Sequence, residues 1–269
     1  MKKSVNKAKI MQWANAVLLA ATAIFMLAPL LVVVLVSFSN SSVFNLPTGA
    51  WSWRWYESML HKEGLGATLG LSVGVALGST LVALVLGTLC AIAIEQGRFK
   101  GREALLAFLV SPLLRPGLVI GVALLQALRS IGLREVFPAL LIGHIVITLP
   151  YVTRTVHASL ALFDMRLIEA AQTLGLSRKR ALLAIMVPAL APAFLTSGLF
   201  AFLASMDNYP ISIFLTDARN KTLPIEILRY LEESPDPTIA AISSCLILLA
   251  VIVLFLAERM VGMRRLAQF

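Results

Sequence analysis

Charge is scarce in this sequence. Of its 269 residues only 14% are Asp, Glu, Lys or Arg, whereas 59% are hydrophobic. Soluble domains carry about 25% charge, so that class is excluded. Cysteine is scarcer still. Cys90 and Cys245 are the only two, both inside apolar runs, with no CxxC and no histidine cluster nearby. This excludes a disulfide framework and a zinc site and leaves small core residues as the reading. Acidic residues number 14 against 23 basic ones, a net charge of +9. Such an excess can attract nucleic acid, but here the basic residues are scattered through the connections between apolar runs. That is the pattern of a membrane chain, and no nucleic-acid partner is expected. Also absent are GxxxxGK[ST], HExxH and GxSxG, so the chain has no phosphate cradle, zinc-protease helix or nucleophile elbow of those kinds. Neither catalysis nor a bound cofactor is expected of it.

What is abundant is apolar sequence long enough to cross a bilayer, which takes about 20 residues. Six stretches qualify, at 14–38, 67–94, 104–128, 138–156, 185–206 and 239–257, and predict an all-α polytopic membrane protein. The basic N-terminus (Lys2, Lys3, Lys7, Lys9) resembles that of a signal peptide. The apolar run behind it is too long for one, and no small-x-small cleavage site follows, so an uncleaved first span is expected.

An even number of spans puts both termini on one side. Lys2, Lys3, Lys7, Lys9, Arg98, Lys100, Arg102, Arg154, Arg166, Arg178, Lys179, Arg180, Arg259, Arg264 and Arg265 fall on that side. They are roughly twice as many as those on the other (Arg54, Lys62, Arg129, Arg134, Arg219, Lys221, Arg229), which makes their side cytoplasmic.

The stretch EAAQTLGLSRKRALLAIMVP, Glu169 to Pro188, is the most polar run in the centre of the chain. Asp164 can cap a short helix through Glu169, Ala170 and Ala171 that ends at Gly175, where a left-handed turn is tolerated. Leu167, Ala170, Ala171 and Leu174 share one face of it. Ser177 can open a second helix carrying Arg178, Lys179 and Arg180. The basic run opposes that helix's dipole, so another surface is expected to account for it.

In the second span Gly66, Gly70, Gly74 and Gly78 recur at every fourth position, with Ser79, Ala83 and Gly87 continuing nearby, a ridge that admits close helix packing. Pro112, Arg115 and Pro116 interrupt the third span. The prolines loosen the helix there. An arginine at that depth costs about 2.5–3.5 kcal/mol on insertion scales unless it faces protein or water. It either lines a solute path, as in the broken helices of transporters, or snorkels or pairs with a partner's carboxylate. His144 and His157 read as hydrogen-bonded core residues or helix-end charges. Trp51, Trp53, Trp55 and Tyr56 read as an interfacial anchor, the alternative being contact with a partner. Pro224 can begin a short outer helix through Glu233, and Glu226, Glu232, Glu233 and Asp236 read as a solvated face or, alternatively, as a surface for a basic patch on an extracellular partner.

Glu169-Ala170-Ala171, Gly175, Ile185 and Pro188 stand at the spacing of the EAA loop, and the chain resembles the type I permeases of ABC importers that carry it. Val187 stands where the family usually has Leu. The likeness runs from about Ala67 to Glu258, and Ser111–Leu125 and Ser205–Leu215 are similar to spermidine/putrescine-type permeases. It implies a permease core at 67–258 with a coupling loop at 157–184, preceded by 1–66 and followed by a cytoplasmic tail at 259–269.

The resemblance also implies that the loop fits a groove on a cytoplasmic ATPase dimer, which holds ATP and Mg. Asp164, Glu169, Ala170, Ala171, Gly175, Ser177, Arg178 and Pro188 are then the coupling residues. A second permease subunit, a periplasmic solute-binding protein and membrane lipid are the other implied partners, in the inner membrane.

In the polyamine-type relatives the region matching Asp207 and Asn208 lies at the outer mouth of the path. Asp207 is thus either a binding or gating residue or a cap for the segment after it. The implied solute is a small amine-bearing one. A cation would be repelled by Arg115 if that side chain faced the path, whereas a zwitterion such as an aminoalkyl phosphonate, amino acid derivative or opine would suit it. An ion-gradient-driven secondary transporter is the alternative, weakened by the scarcity of intramembrane carboxylates for a proton relay.

Overall fold

The computed structural model describes residues 2–266 apart from Thr48, Ala50 and Ser234. Its described α-helices are α1 (Lys2–Ser37), α2 (Arg54–Leu60), α3 (Leu65–Gln96), α4 (Arg102–Val110), α5 (Gly117–Ser130), α6 (Val136–Leu160), α7 (Arg166–Thr173), α8 (Arg178–Ala181), α9 (Val187–Ala189), α10 (Ala191–Met206), α11 (Ser212–Leu215), α12 (Leu223–Glu233) and α13 (Thr238–Leu266). A 3₁₀ turn, Ser111–Leu114, follows α4, and a π-helical turn, Leu182–Met186, joins α8 to α9.

Four helices are long and apolar enough to cross a membrane unbroken: Met11–Ser37, Leu65–Gln96, Val136–Leu160 and Thr238–Leu256. They match four expected spans to within a few residues. The other two expected spans are bent. Arg178–Ala189 meets Ala191–Met206 at 65°, and Arg102–Leu114 meets Gly117–Ser130 at 108°. The second angle corrects the expectation of a merely loosened span at 104–128. Pro116 drives the residue before it out of helical geometry, and Arg115 is extended (φ −105°, ψ 146°). The arms on either side therefore cannot be one rod.

The chain forms two compact units, Met1–Glu63 with Tyr230–Val251 and Gly64–Arg229 with Ile252–Phe269. In the first, the aromatic segment folds onto the end of α1. Phe38 has Trp51, Trp53 and Tyr56 with ring centroids 5.4, 5.0 and 5.3 Å away. Trp55 is buried and donates its indole N–H to the Ser39 carbonyl at 2.7 Å. Of the expected interfacial aromatics, Trp51 and Trp53 are exposed, whereas Trp55 is a core residue because its one polar atom finds a backbone acceptor. In the same unit Cys245 is exposed, not a core residue.

In the second unit α3, α6 and α10 pack together around two apolar clusters. One gathers Ala83, Ala91, Val152, Val156, Leu160, Ile168, Ala171, Ala181, Met186, Leu190 and Ala201. The other gathers Val75, Leu128, Ala139, Leu140, Ile211 and Leu215.

The small-residue ridge of α3 is used only in part. A Cβ on Gly87 would stand 2.9 Å from Val152 Cβ and 3.2 Å from the Thr153 nitrogen, so the helices touch there. One on Gly78 would meet Leu141 at 3.0 Å, while Gly66 and Gly70 face open space. The reason is geometric. Positions four apart turn by about 40° on a helix of 3.6 residues per turn, so one row cannot face one neighbour along its whole length.

The segment 221–237 also departs from expectation. Glu226 is buried, forms an ion pair with Arg229 and lies 4.0 Å from Lys221 Nζ, all within the second unit. Asp236 accepts from the Tyr230 hydroxyl and the Thr238 N–H within the first. These two carboxylates are satisfied internally and are not a solvated face.

Candidate functional site

The polar loop is two short helices set at an angle by a glycine. Asp164 accepts from the Arg166 N–H at 3.0 Å, and both of its oxygens take the Arg166 Nε at 3.0 and 3.2 Å. The Arg166 side-chain bond comes first among the causes that hold the Asp164 carboxyl below its ordinary range. Asp164 thus starts α7 as expected, one residue ahead of the formal cap position.

At the other end the Leu176 N–H donates to the Ala171 carbonyl at 3.1 Å and the Gly175 N–H to the Gln172 carbonyl at 3.0 Å. This is the paired-bond turn that closes a helix with a left-handed residue, and Gly175 has φ +92°. No atom lies within 4 Å of where its Cβ would be, so backbone conformation alone calls for glycine here. Ser177 is extended and heads α8, but its hydroxyl makes no capping bond.

The two faces of α7 divide differently from the expected grouping. Ile168 and Ala171 are buried, and Leu176 packs against the same cluster. Leu167 and Leu174 are exposed at 51% and 82%, and Glu169 and Ala170 are exposed with them. Ala170 therefore looks outward and Ala171 inward. Because Ile168 and Ala171 belong to the cluster that also holds Ala91, Val156 and Met186, the loop and three spans share one core.

Side chains add to this connection. Arg178 Nη2 donates to Gln96 Oε1 at 3.3 Å, and Gln96 Nε2 approaches Met165 Sδ at 3.8 Å. Glu95, beside it, lies 3.1 Å from His157 Nε2 at the end of α6. Part of the basic run that opposed its helix dipole is thus engaged with the end of α3. In the sequence Gln96 is marked only by being part of a polar Glu-Gln pair that ends a long apolar run. Pro188 lies at the far end of the loop, just past the π-turn. Its ring clashes with the carbonyl four residues back in an α-helix, and the wider turn before it relieves that clash.

The candidate path residues fall into two groups that the fold brings near each other. Pro112, Arg115 and Pro116 form the 108° elbow. Asp207 ends α10, and the Asp207–Pro210 turn follows. A Cβ on Gly117 would sit 2.9 Å from Pro210 Cβ, and one on Gly121 would sit 2.9 Å from the Pro210 carbonyl, so the turn rests on the start of α5.

Arg115 is exposed, and among the described residues it has no carboxylate partner. With Val119, Ile120, Ala123, Leu124, Ala127 and Val146 it lines an open groove of about 440 Å³. The capping role considered for Asp207 belongs to its neighbour. Asn208 Oδ1 accepts from the Ile211 N–H at 3.1 Å, and Asp207 stays exposed. No group of three or more potential metal ligands occurs among the described residues.

Residues 83–264 match the family model of the binding-protein-dependent transport system inner membrane component. The chain belongs to this family. As an inner membrane component, it is 30% identical over 234 residues to the spermidine/putrescine transport system permease protein PotC of Haemophilus influenzae, covering 87% of this chain and 91% of that one. It is 28% identical over 240 residues to the putrescine transport system permease protein PotI of Escherichia coli strain K12, covering 87% and 85%. A bacterial alginate ABC transporter, solved in complex with an alginate pentasaccharide-bound periplasmic protein, has a chain that superposes with a TM-score of 0.71 at 15% identity. The superposition covers 92% of this chain and 93% of that one, and it speaks for the fold alone. This inner membrane component is thus a multi-pass, all-α permease of the type I ABC-importer fold, related to polyamine permeases.

Proposed function

We propose that this permease pairs with a second permease subunit to form the membrane path for a small amine-bearing solute delivered by a periplasmic binding protein. A cytoplasmic ATPase dimer, carrying ATP and Mg, docks on the α7–α8 loop and drives the exchange between inward- and outward-open states. Both termini are cytoplasmic in this reading, as the basic residues of the connecting segments favour. The contacting surface on α7 is Glu169, Ala170, Leu167 and Leu174, with Gly175, Ser177 and Arg178 setting the angle of the second helix.

One observation carries the reading. The outward side of α7 is exposed, and its inward side, Ile168 and Ala171, belongs to the core of α3, α6 and α10. A push on such a surface moves the spans as a body, which is what coupling to an external motor requires. Arg115 supports a solute with an anionic group beside its amine, because a guanidinium without a carboxylate partner repels a simple polyamine.

The test is affinity purification of the tagged chain from gently solubilised membranes, with the co-purifying proteins and the ligand of any binding protein identified by mass spectrometry. Recovery of a nucleotide-binding subunit and a binding protein holding an amine is expected. Solute uptake by the chain alone, abolished by an ionophore and indifferent to ATP, would replace this reading with secondary transport.

A further inference from the structure

Between the two apolar clusters of the second unit lies a layer of polar side chains. Along α3 the order is Val75, then Ser79, then Ala83. Along α6 it is Leu140, then His144 and Thr148, then Val152. At the end of α10, Ser205 follows Ala201 and precedes Ile211. His144 is 2% exposed and Ser79, Thr148 and Ser212 are fully buried, with Ser205 at 3%. Groups this deep are retained only when satisfied.

They are satisfied by one another. The Ser212 hydroxyl donates to the Asn208 carbonyl, and His144 Nε2 lies 2.9 Å from Ser212 Oγ. Ser212 has spent its only proton, so Nε2 carries the imidazole hydrogen and donates it. His144 Nδ1 is then an acceptor and takes the Ser205 hydroxyl at 2.6 Å, while the Ser79 hydroxyl has both Ser205 Oγ and the Ala76 carbonyl at 3.2 Å. Thr148 closes the layer by donating to the His144 carbonyl at 2.8 Å. From Ser205 through His144 and Ser212 to the Asn208 carbonyl, each donor thus points one way.

The series ends at the break between α10 and α11. Asn208 receives it on its carbonyl and uses its own side chain to hold the Ile211 N–H at 3.1 Å. Asp207, one residue earlier, is exposed. We propose that His144 is a positioning residue for transport: through Ser212 it fixes Asn208, and thereby sets where Asp207 stands at the break. This rests on the reading of Asp207 as a path residue. His144 touches no solute in this account and acts through the turn.

The experiment uses the assembled, detergent-solubilised complex with Cys90→Ala, Cys245→Ser and Asp207→Cys, and follows modification of position 207 by a charged methanethiosulfonate. His144→Leu and Ser212→Ala are each expected to change the modification rate by about fivefold or more, the lower end of typical coupling between sites. His144→Gln, whose amide can supply the Nε2 donor, is expected to stay near the parent rate. A general packing defect does not give that rescue. Equal rates in the Leu and Gln variants overturn the proposal. If His144→Leu fails to assemble, Ser212→Ala, which removes one oxygen, decides alone: an unchanged rate overturns it. Asp207→Asn with His144 intact tests the path reading separately, through ATP hydrolysis stimulated by the binding protein as purified. Unchanged stimulation removes the path role of Asp207 and with it the transport role of His144, while the modification rates still decide whether His144 positions the turn.

Discussion

Arg178 and Gln96, 82 positions apart in sequence, meet at 3.3 Å where the polar loop passes the end of α3. Both the loop core and this bond fasten the loop to the same helix, but they differ in strength. The bond is solvent-exposed, and such contacts contribute about 0–1 kcal/mol, whereas Ile168 and Ala171 are buried. Gln96→Ala is therefore expected to leave thermal stability within about 1 kcal/mol of the parent. It is expected to lower solute moved per ATP hydrolysed, measured in proteoliposomes.

Gly175 has the sharper sequence requirement. At φ +92° an L side chain costs about 1–2 kcal/mol even with open space around it, so Gly175→Ala should weaken the loop mildly. Gly175→Pro fixes φ near about −65° and removes the N–H that donates to Gln172. Transport-coupled ATP hydrolysis should fall slightly in the first variant and collapse in the second. Equal coupling in both would contradict the role given to this turn.

Glu169 is exposed and makes no ion pair among the described residues. Glu169→Arg, which sets a positive charge in the first turn of α7 beside Arg166, is therefore expected to destabilise the isolated chain by only about 0.3–1 kcal/mol while placing like charges against whatever the carboxylate meets. Retention of the ATPase subunit during purification should drop about tenfold or more, a cost of the size expected for a reversed interface charge. Normal retention with normal coupling would move the docking surface elsewhere.

Two glycines of one helix should behave oppositely. Gly87→Val drives atoms into Val152 and the backbone at Thr153, and overpacking of this kind costs about 1–3 kcal/mol. Gly70→Ala meets nothing within 4 Å and, within a helix, should stabilise by about 0.5–1 kcal/mol. Thermal denaturation of the detergent-solubilised protein reads both.

Arg115→Ala is expected to cut solute uptake about tenfold with subunit abundance unchanged, because the side chain lines an open groove and supports no described ion pair. Unaltered uptake kinetics would take Arg115 off the path.

The four unbroken spans, the Asp164 start and the Gly175 stop of α7 were legible because each rests on a local rule: span length, a carboxylate before a helix, a residue free to turn left. What escaped was decided by partners distant in sequence. Leu167 and Ile168 are equally apolar neighbours, and only the position of the Val152–Leu160 stretch makes Ile168 the buried one. Trp55 is distinguished from Trp53 by the Ser39 carbonyl. Glu226 is distinguished from a surface carboxylate by Arg229 and Lys221. The 108° elbow lay between these cases. Pro116 announced a break, but its size depends on Arg115 being extended and on Pro210 pressing against Gly117.

The π-turn at Leu182–Met186 fits one residue more than an α-helix would into the same rise. It therefore sets the azimuth of α8 relative to the span beyond it. Closing the same residues into α-helical geometry would leave every contact partner in the sequence, yet would rotate the loop by about 100° about the helix axis. The proposed docking face, still intact, would then present itself to empty solvent.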